Sequence, residues 1–334
     1  MGNVFVQSNE ADGNHVIAFQ RGDDGLLTKL ASVATGGNGG GVPHLTSQAS
    51  VVLTQEGSRL LVANAGSGDV SVFGIGDAPL LVQVVPTGAA PKSIAEHAGL
   101  VYVLNTGAPS LAGFRVTDGE LEPLEGSLRE LAPDADPAQL GFTPDGSALV
   151  VTERGTNSIV VYSVAEHGLL REPGRSPSAG LTPYGFAFAG NGALVVTEAF
   201  GAQKGKAAAS SYRLTGTAAE PVSRSVGNGR SEICWAVVTK DGRYAFTTNF
   251  ADGAVSSWAI GGDDRLTLEN AVAGTAVEGQ PGLRDEDMSR DGRFLYAIDA
   301  DAGQIFGWSV DDGRLSPIGS WDDLPTTVAG LAAS

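Results

Sequence analysis

One hydrophobic pattern recurs along the chain. A short run of small or apolar residues leads through a Gly-containing turn into a strongly apolar run, and a polar turn then leads to a run ending on an aromatic residue. "TPDGSALVVTERGTNSIVVY", "TKDGRYAFTTNFADGAVSSW" and "SRDGRFLYAIDADAGQIFGW" show it most plainly. "TQEGSRLLVANAGSGDVSVF", "EHAGLVYVLNTGAPSLAGF" and the longer "AGNGALVVTEAFGAQKGKAAASSY" are further copies. Apolar runs of this kind joined by tight glycine turns predict strands and hairpins. The turn glycines Gly57, Gly99, Gly146, Gly192, Gly242 and Gly292 are spaced by 42, 47, 46, 50 and 50 residues, which fits a four-stranded propeller blade.

The two ends supply complementary fragments of the same unit. "NVFVQSNEADGNHVIAF" carries second and third strands with no first strand before it, and "TTVAGLAAS" is a first strand with no second after it. The prediction is an all-β, seven-bladed β-propeller with four antiparallel strands per blade. It forms a single domain over residues 1–334, closed by residues 326–334 against residues 1–35. Loops that enter first strands and loops that leave second strands then open on one face, gathering distant side chains at the mouth of the central channel.

Composition removes several classes of partner. The formal charge of -17 opposes a nucleic-acid partner, because a phosphate backbone would be repelled. Cys234 is the only cysteine, so neither an intrachain disulfide nor a thiolate zinc cluster is expected. The start "MGNVFVQSNEADG" has no basic leader, and no apolar run approaches the roughly 18 residues of a membrane helix. A cytoplasmic chain with a small-molecule ligand, no membrane partner and no cofactor is the simplest expectation. The sequence leaves the oligomeric state open.

Turn and strand motifs such as "FTPDGSALVVTE", "SRDGRFLYAID", "GLVYVLNTG" and "GVPHLTSQASVVLTQEGSRLLVANAGSGDVSVF" resemble those of the seven-bladed β-propeller lactonases. That family includes bacterial 6-phosphogluconolactonase and the 3-carboxy-cis,cis-muconate lactonizing enzymes. The resemblance covers essentially the whole chain. It implies a catalytic set made of a histidine and an arginine at first-strand entries, a glutamate ending a second strand, and a further arginine on a later first strand. Position by position, the glutamate is Glu198 in "LVVTEAF". The histidine position falls at Ala138 or Gln139, the first arginine at Tyr184, and the second near Trp235 to Val237.

The residues themselves suggest a polar mouth. Second-strand ends contribute Asn9, Asn64, Asn105, Glu153, Glu198, Asn249 and Asp299; Asn and Asp are ordinary turn residues there, whereas glutamate is a poor one. Glu153 and Glu198, on adjacent blades, could approach closely enough to raise one pKa toward a catalytic range. First-strand entries contribute His44 as a third catalytic candidate. Lys92, Gln139, Tyr184, Trp235, Arg284 and Asp285 are the candidate substrate contacts. The insertion in "EAFGAQKGKAAASSY" would stand over the mouth as a flap.

"LRDEDM" at 283 to 288 breaks the pattern, since Glu286 takes the place filled by Leu140, Phe186 and Ala236 in other copies. An ion-pair network stapling the closing blades accounts for it, and so would a catalytic role or a divalent cation at the mouth. Two functions fit the whole: an enzyme that opens or closes a lactone-type ring by general acid/base chemistry, and a non-catalytic propeller that binds a metabolite or protein on its top face.

Overall fold

The computed structural model describes residues 2–42, 48–277 and 279–334. Seven antiparallel sheets are arranged as the blades of a propeller. Their innermost strands are Ala329–Ala333 in blade 1, Val51–Leu53 in blade 2, Pro91–His97 in blade 3 and Pro137–Phe142 in blade 4. Pro183–Phe188, Ile233–Val238 and Leu283–Met288 follow in blades 5, 6 and 7. Every blade runs outward from there in chain order; in blade 3 the outermost strand is split into Glu120–Pro123 and Arg129–Glu130.

Closure occurs as the sequence ends predict. Ala329–Ala333 pairs antiparallel with Gly2–Gln7, matching Val4 with Ala333 and Val6 with Leu331. The innermost strand of blade 1 therefore comes from the C-terminus and its other three from the N-terminus. The strand itself begins at Ala329, three residues later than expected, after a turn in which Val328 N–H bonds the Pro325 carbonyl.

Glycine at the hairpin between first and second strands is required by backbone shape. Gly146, Gly242 and Gly292 have φ of 69°, 72° and 74°, where a Cβ is disfavoured. Beside them the Thr143 and Thr239 hydroxyls donate to Asp145 and Asp241. Those bonds hold both carboxyls down at about 2.

Blades pack through alternating apolar side chains. Val150 and Val161 of blade 4 meet Phe186 and Val196 of blade 5, and Phe246 and Val255 of blade 6 meet Leu295 and Trp308 of blade 7. A polar clasp near the channel supplements this packing. Ser93 on the inner strand of blade 3 accepts the Leu140 N–H of blade 4 (3.3 Å). Gln139 of blade 4 grips both backbone groups of Phe186 in blade 5, donating at 3.0 Å and accepting at 2.6 Å. At the equivalent place blade 5 has Gly185, and Gln48 reaches in from the segment before blade 2 to grip Ala236 of blade 6 (2.8 and 3.1 Å). A Cβ on Gly185 would lie 2.7 Å from the Gln48 amide oxygen, so the glycine makes room for that crossing.

Candidate functional site

Register breaks build the mouth. In blades 3 to 7 the pairing of first and second strands shifts immediately after the entry residue, namely Pro91, Pro137, Pro183, Ile233 or Leu283. Such a bulge leaves the following one or two residues outside the ladder and re-aims their side chains. Lys92, Ala138, Tyr184, Cys234, Trp235 and Arg284 all stand at these positions. The residue before each entry has positive φ: Ala90 (54°), Asp136 (41°), Thr182 (57°), Glu232 (53°) and Gly282 (139°). That backbone is sparsely populated by residues other than glycine, and its recurrence marks the turn that swings the chain onto the inner strand. Hydroxyls from neighbouring second strands fix the bulges, with Thr152 donating to the Tyr184 carbonyl (2.6 Å) and Thr197 to that of Cys234 (2.7 Å).

Beneath the rim the buried Tyr184 and Trp235 rings meet edge to face at 5.8 Å, packed with Ala138, Ala199 and Cys234. The Arg154 guanidinium lies over the Tyr184 ring at 5.0 Å and pairs with Asp136 at 2.5 Å. Arg284 lies over the Phe250 ring at 4.8 Å, with Asp301 at 3.6 Å. Both guanidinium groups act on the Tyr184 phenol and the Cys234 thiol. Burial drives both of those groups upward, so they stay protonated, and the thiol donates to the Glu232 carbonyl (3.4 Å). Burial, reinforced by Arg154, lowers the Lys92 amine against the pull of Asp136. Glu232 is half-buried; burial and then the negative charge of Asp252 raise its carboxyl.

The two second-strand glutamates lie elsewhere. Glu153 is fully buried and held by Arg175 of its own blade through both oxygens, with the Thr156 hydroxyl at 2.6 Å. Glu198 is equally buried and accepts the Gly180 N–H (2.9 Å) and the hydroxyls of Ser210 (2.5 Å) and Ser225 (2.7 Å). Each thus spends its oxygens within its own blade, and burial rather than a second carboxylate raises Glu198. The expected approach of the pair is not found among their contacts. Gln139 and Asp285 also turn inward, one to Phe186 and the other to the Leu331 N–H (3.2 Å). Lys92, Tyr184, Trp235 and Arg284 stand at the blade entries, Lys92 half-buried and the other three buried. His44 falls outside the described residues.

Three mouth residues escaped sequence reasoning. Arg154 directly follows Glu153, while Asp136 and Glu232 precede blade entries; the signal was an acidic residue immediately before the entry in "DADP" and "SEIC". The insertion expected as a flap forms a short 3-10 turn, Phe200–Ala202, and an exposed turn at 203–206. It is tied down through Gly205 N–H to the Ser231 hydroxyl (3.0 Å) and Ala207 N–H to the Arg230 carbonyl (3.0 Å).

A test of the buried glutamate follows from its donors. Glu198→Gln would place an amide N–H₂ where four donors already point, Gly180, Ser210, Ser225 and Tyr212, so it should destabilise the protein by about 1–3 kcal/mol. Calorimetry reads this as a lower Tm, and an unchanged Tm would contradict the network.

Comparison with known proteins identifies the family. The family model described as "Lactonase, 7-bladed beta-propeller" matches residues 84–199 and 196–327. The chain belongs to the lactonase family of seven-bladed β-propellers. No curated protein matches this lactonase-family propeller. Among solved structures, the Pseudomonas aeruginosa periplasmic gluconolactonase superposes with a TM-score of 0.74 at 18% identity, covering 99% of this chain and 98% of that one. A Bacteroides uniformis protein proposed as a 6-phosphogluconolactonase gives 0.73 at 17% identity, covering 98% and 99%. A streptogramin B lyase gives 0.60 at 14% identity, covering 89% and 87%. At such identities the likeness is one of fold. Among the described residues no helix is long and apolar enough to cross a membrane, and no three His, Cys, Asp or Glu side chains converge on a metal position.

Proposed function

We propose that this propeller hydrolyses a small lactone bearing a negative charge, at the channel mouth formed by Lys92, Arg154, Tyr184, Trp235, Arg284 and Glu232. The observation that carries the reading is that Lys92, Tyr184, Trp235 and Arg284, placed by blade-entry bulges, gather with Arg154 at one side of a lactonase-family propeller. Elsewhere the chain is strongly acidic. At the rim Arg154 and Arg284 are each matched by one carboxylate, Asp136 and Asp301, so an anionic ligand would be received by exchange for those partners.

In this reading the buried Tyr184 and Trp235 rings form the apolar floor beneath the lactone, and Arg154 and Arg284 receive its anionic substituent and carbonyl oxygen. Glu232 takes a proton from water as the water oxygen attacks the carbonyl carbon. The tetrahedral oxyanion is stabilised by the guanidinium charges. The ring C–O bond then breaks, the departing alkoxide receives the proton, and the hydroxy acid ionises with release of one proton to solvent.

That proton gives the assay. Hydrolysis of unphosphorylated aldonolactones, muconolactones and 6-phosphogluconolactone, followed by pH-stat, should show turnover with at least one acidic lactone. Arg154→Gln should raise its KM about tenfold, as expected for loss of one charge-assisted bond to substrate. A binding-only propeller remains the second reading, because Ala138 or Gln139, Tyr184, and Trp235 to Val237 stand where the family resemblance implies histidine and arginine. Tight binding of acidic lactones without proton release would select it.

A further inference from the structure

The inner strand of blade 7 carries three successive carboxyls beside the ring closure. Asp285 accepts the Leu331 N–H (3.2 Å) and Asp287 accepts the Ala333 N–H (2.8 Å), so both hold the C-terminal strand through its backbone. Their other oxygens accept the N–H groups of Glu286 (3.0 Å) and Met288 (2.8 Å). Asp285 thus continues the inter-blade clasp of Ser93, Gln139 and Gln48, with a titratable group in place of a neutral one. Glu286, at the apolar position of the repeat, is 2% exposed, and among the described residues no side chain donates to its carboxyl, on which only the Thr248 backbone acts. Its strand faces the apolar contact between blades 6 and 7, which includes Val237, Phe246 and Leu295.

Among the described residues no cation pairs with this group. On the same strand Arg284 lies over Phe250 and beside Asp301, and just beyond it Arg290 donates to the Thr54 carbonyl (2.5 Å) and acts on Asp287 alone of the three. Lys240 lines the channel cavity near Asp287. The inner strand of blade 6 offers only Cys234, and its second strand only Tyr244. The second strand of blade 7 offers Tyr296 and Asp299, and the turn at Phe250–Asp252 offers Asp252. The closing strand has no ionisable side chain at all. Three ionised carboxylates in succession, one of them with no side-chain donor, would cost several kcal/mol, roughly, in such surroundings.

We propose that Asp285, Glu286 and Asp287 form a proton-holding clasp that couples closure of the propeller ring to pH. While the cluster retains a proton, the blade 7 strand and the C-terminal strand are locked together. Loss of that proton loosens the seam between blades 6 and 7 and the closure next to it.

The electrostatics agree in sign. Burial and then Asp287 push Asp285 well above the ordinary carboxyl range; burial, Asp285 and Asp287 push Glu286 well above it; burial pushes Asp287 up to about 6. The folded chain therefore binds these protons more tightly than the unfolded chain. Their stabilising contribution is complete below the unfolded carboxyl pKa, roughly 4, and is lost as pH rises through 6 and beyond. Asp145 and Asp241 act oppositely, stabilising above roughly 4 and losing that contribution as pH falls toward 2. Together they place maximal stability in mild acid.

The test measures Tm against pH from 4.5 to 8.5 for the wild type, Glu286→Gln and Glu220→Gln. Glu220 is exposed on an outer strand and controls for net charge. The wild type and Glu220→Gln should lose several degrees over this range. Glu286→Gln should match them in acid and exceed them at pH 8.5, because its side chain no longer ionises. A Glu286→Gln profile parallel to the wild type overturns the proposal. Should that variant fail to fold, unfolding the wild type in urea at pH 7 and the same measurement on Asp285→Asn decide the matter. The wild type should release about one proton or more per chain, and Asp285→Asn measurably fewer. Equal release, or none from the wild type, overturns it.

Discussion

Removing residues 326–334 should abolish cooperative folding at ambient temperature. The excised segment supplies the whole inner strand of blade 1, and Val328, Leu331 and Ala333 within it are buried against Val4, Val6, Ile17, Phe294 and Tyr296. Each large apolar side chain lost forfeits about 1.5–3 kcal/mol. The backbone loss compounds this. Gly2–Gln7 would become an open sheet edge facing the channel, and Asp285 and Asp287 would lose the N–H donors of Leu331 and Ala333. These losses together rival the whole stability of an ordinary domain, about 5–15 kcal/mol. Circular dichroism during heating should show a broad, low transition in place of a sharp one. A truncated chain that melts like the parent would refute closure by this strand. Leu331→Ala is the graded version, and should lower stability by about 2–5 kcal/mol with cooperativity retained.

The ring and its closure were legible because their determinants are local. A left-handed hairpin glycine after "TPD", "TKD" or "SRD" is written in the chain, and so are the unmatched strands at the two ends. The mouth was only half legible. Lys92, Tyr184, Trp235 and Arg284 could be placed by counting back from the turn glycine, but counting cannot reveal a bulge, which decides whether a side chain enters the mouth or clasps the next blade. Gln139 and Asp285 sit one residue past Ala138 and Arg284 and clasp the next blade, whereas Trp235 at the same place packs on Tyr184. Glu153 and Glu198 misled for a different reason. Their position faces the outer strands of its own blade: Asn64 there meets Asp69 and Ser71, and Asn249 meets Asn228 and Ser256. A ring of asparagines at one repeat position was thus the sign of a structural site. Glutamate fits it where an outer strand supplies Arg175 or Ser225. The acidic run in blade 7 does staple the closing blades, but through backbone N–H groups rather than the expected ion pairs.

Glu232→Gln should cost about 100-fold or more in kcat with little change in Tm, the loss expected when a general base is removed. Glu232 differs from Glu198 in the two properties such a role requires. It is half-buried rather than sealed, and among the described residues no donor like those on Glu198 acts on its carboxyl. Burial and Asp252 raise its pKa, which strengthens it as a proton acceptor and brings its titration nearer to neutrality. The base form is the active one, so wild-type kcat/KM should climb with pH until Glu232 is ionised and then level off. In the glutamine variant that acid limb should vanish along with most of the rate. Asp252→Asn separates this from a general loss of mouth structure: removing the neighbouring charge should lower the Glu232 pKa and move the limb toward acid while turnover persists. A limb that stays in place in Asp252→Asn, or survives in Glu232→Gln, would assign the base elsewhere on the rim. Arg154 and Arg284 would keep their part in either case, since the oxyanion needs cationic charge whichever group moves the proton.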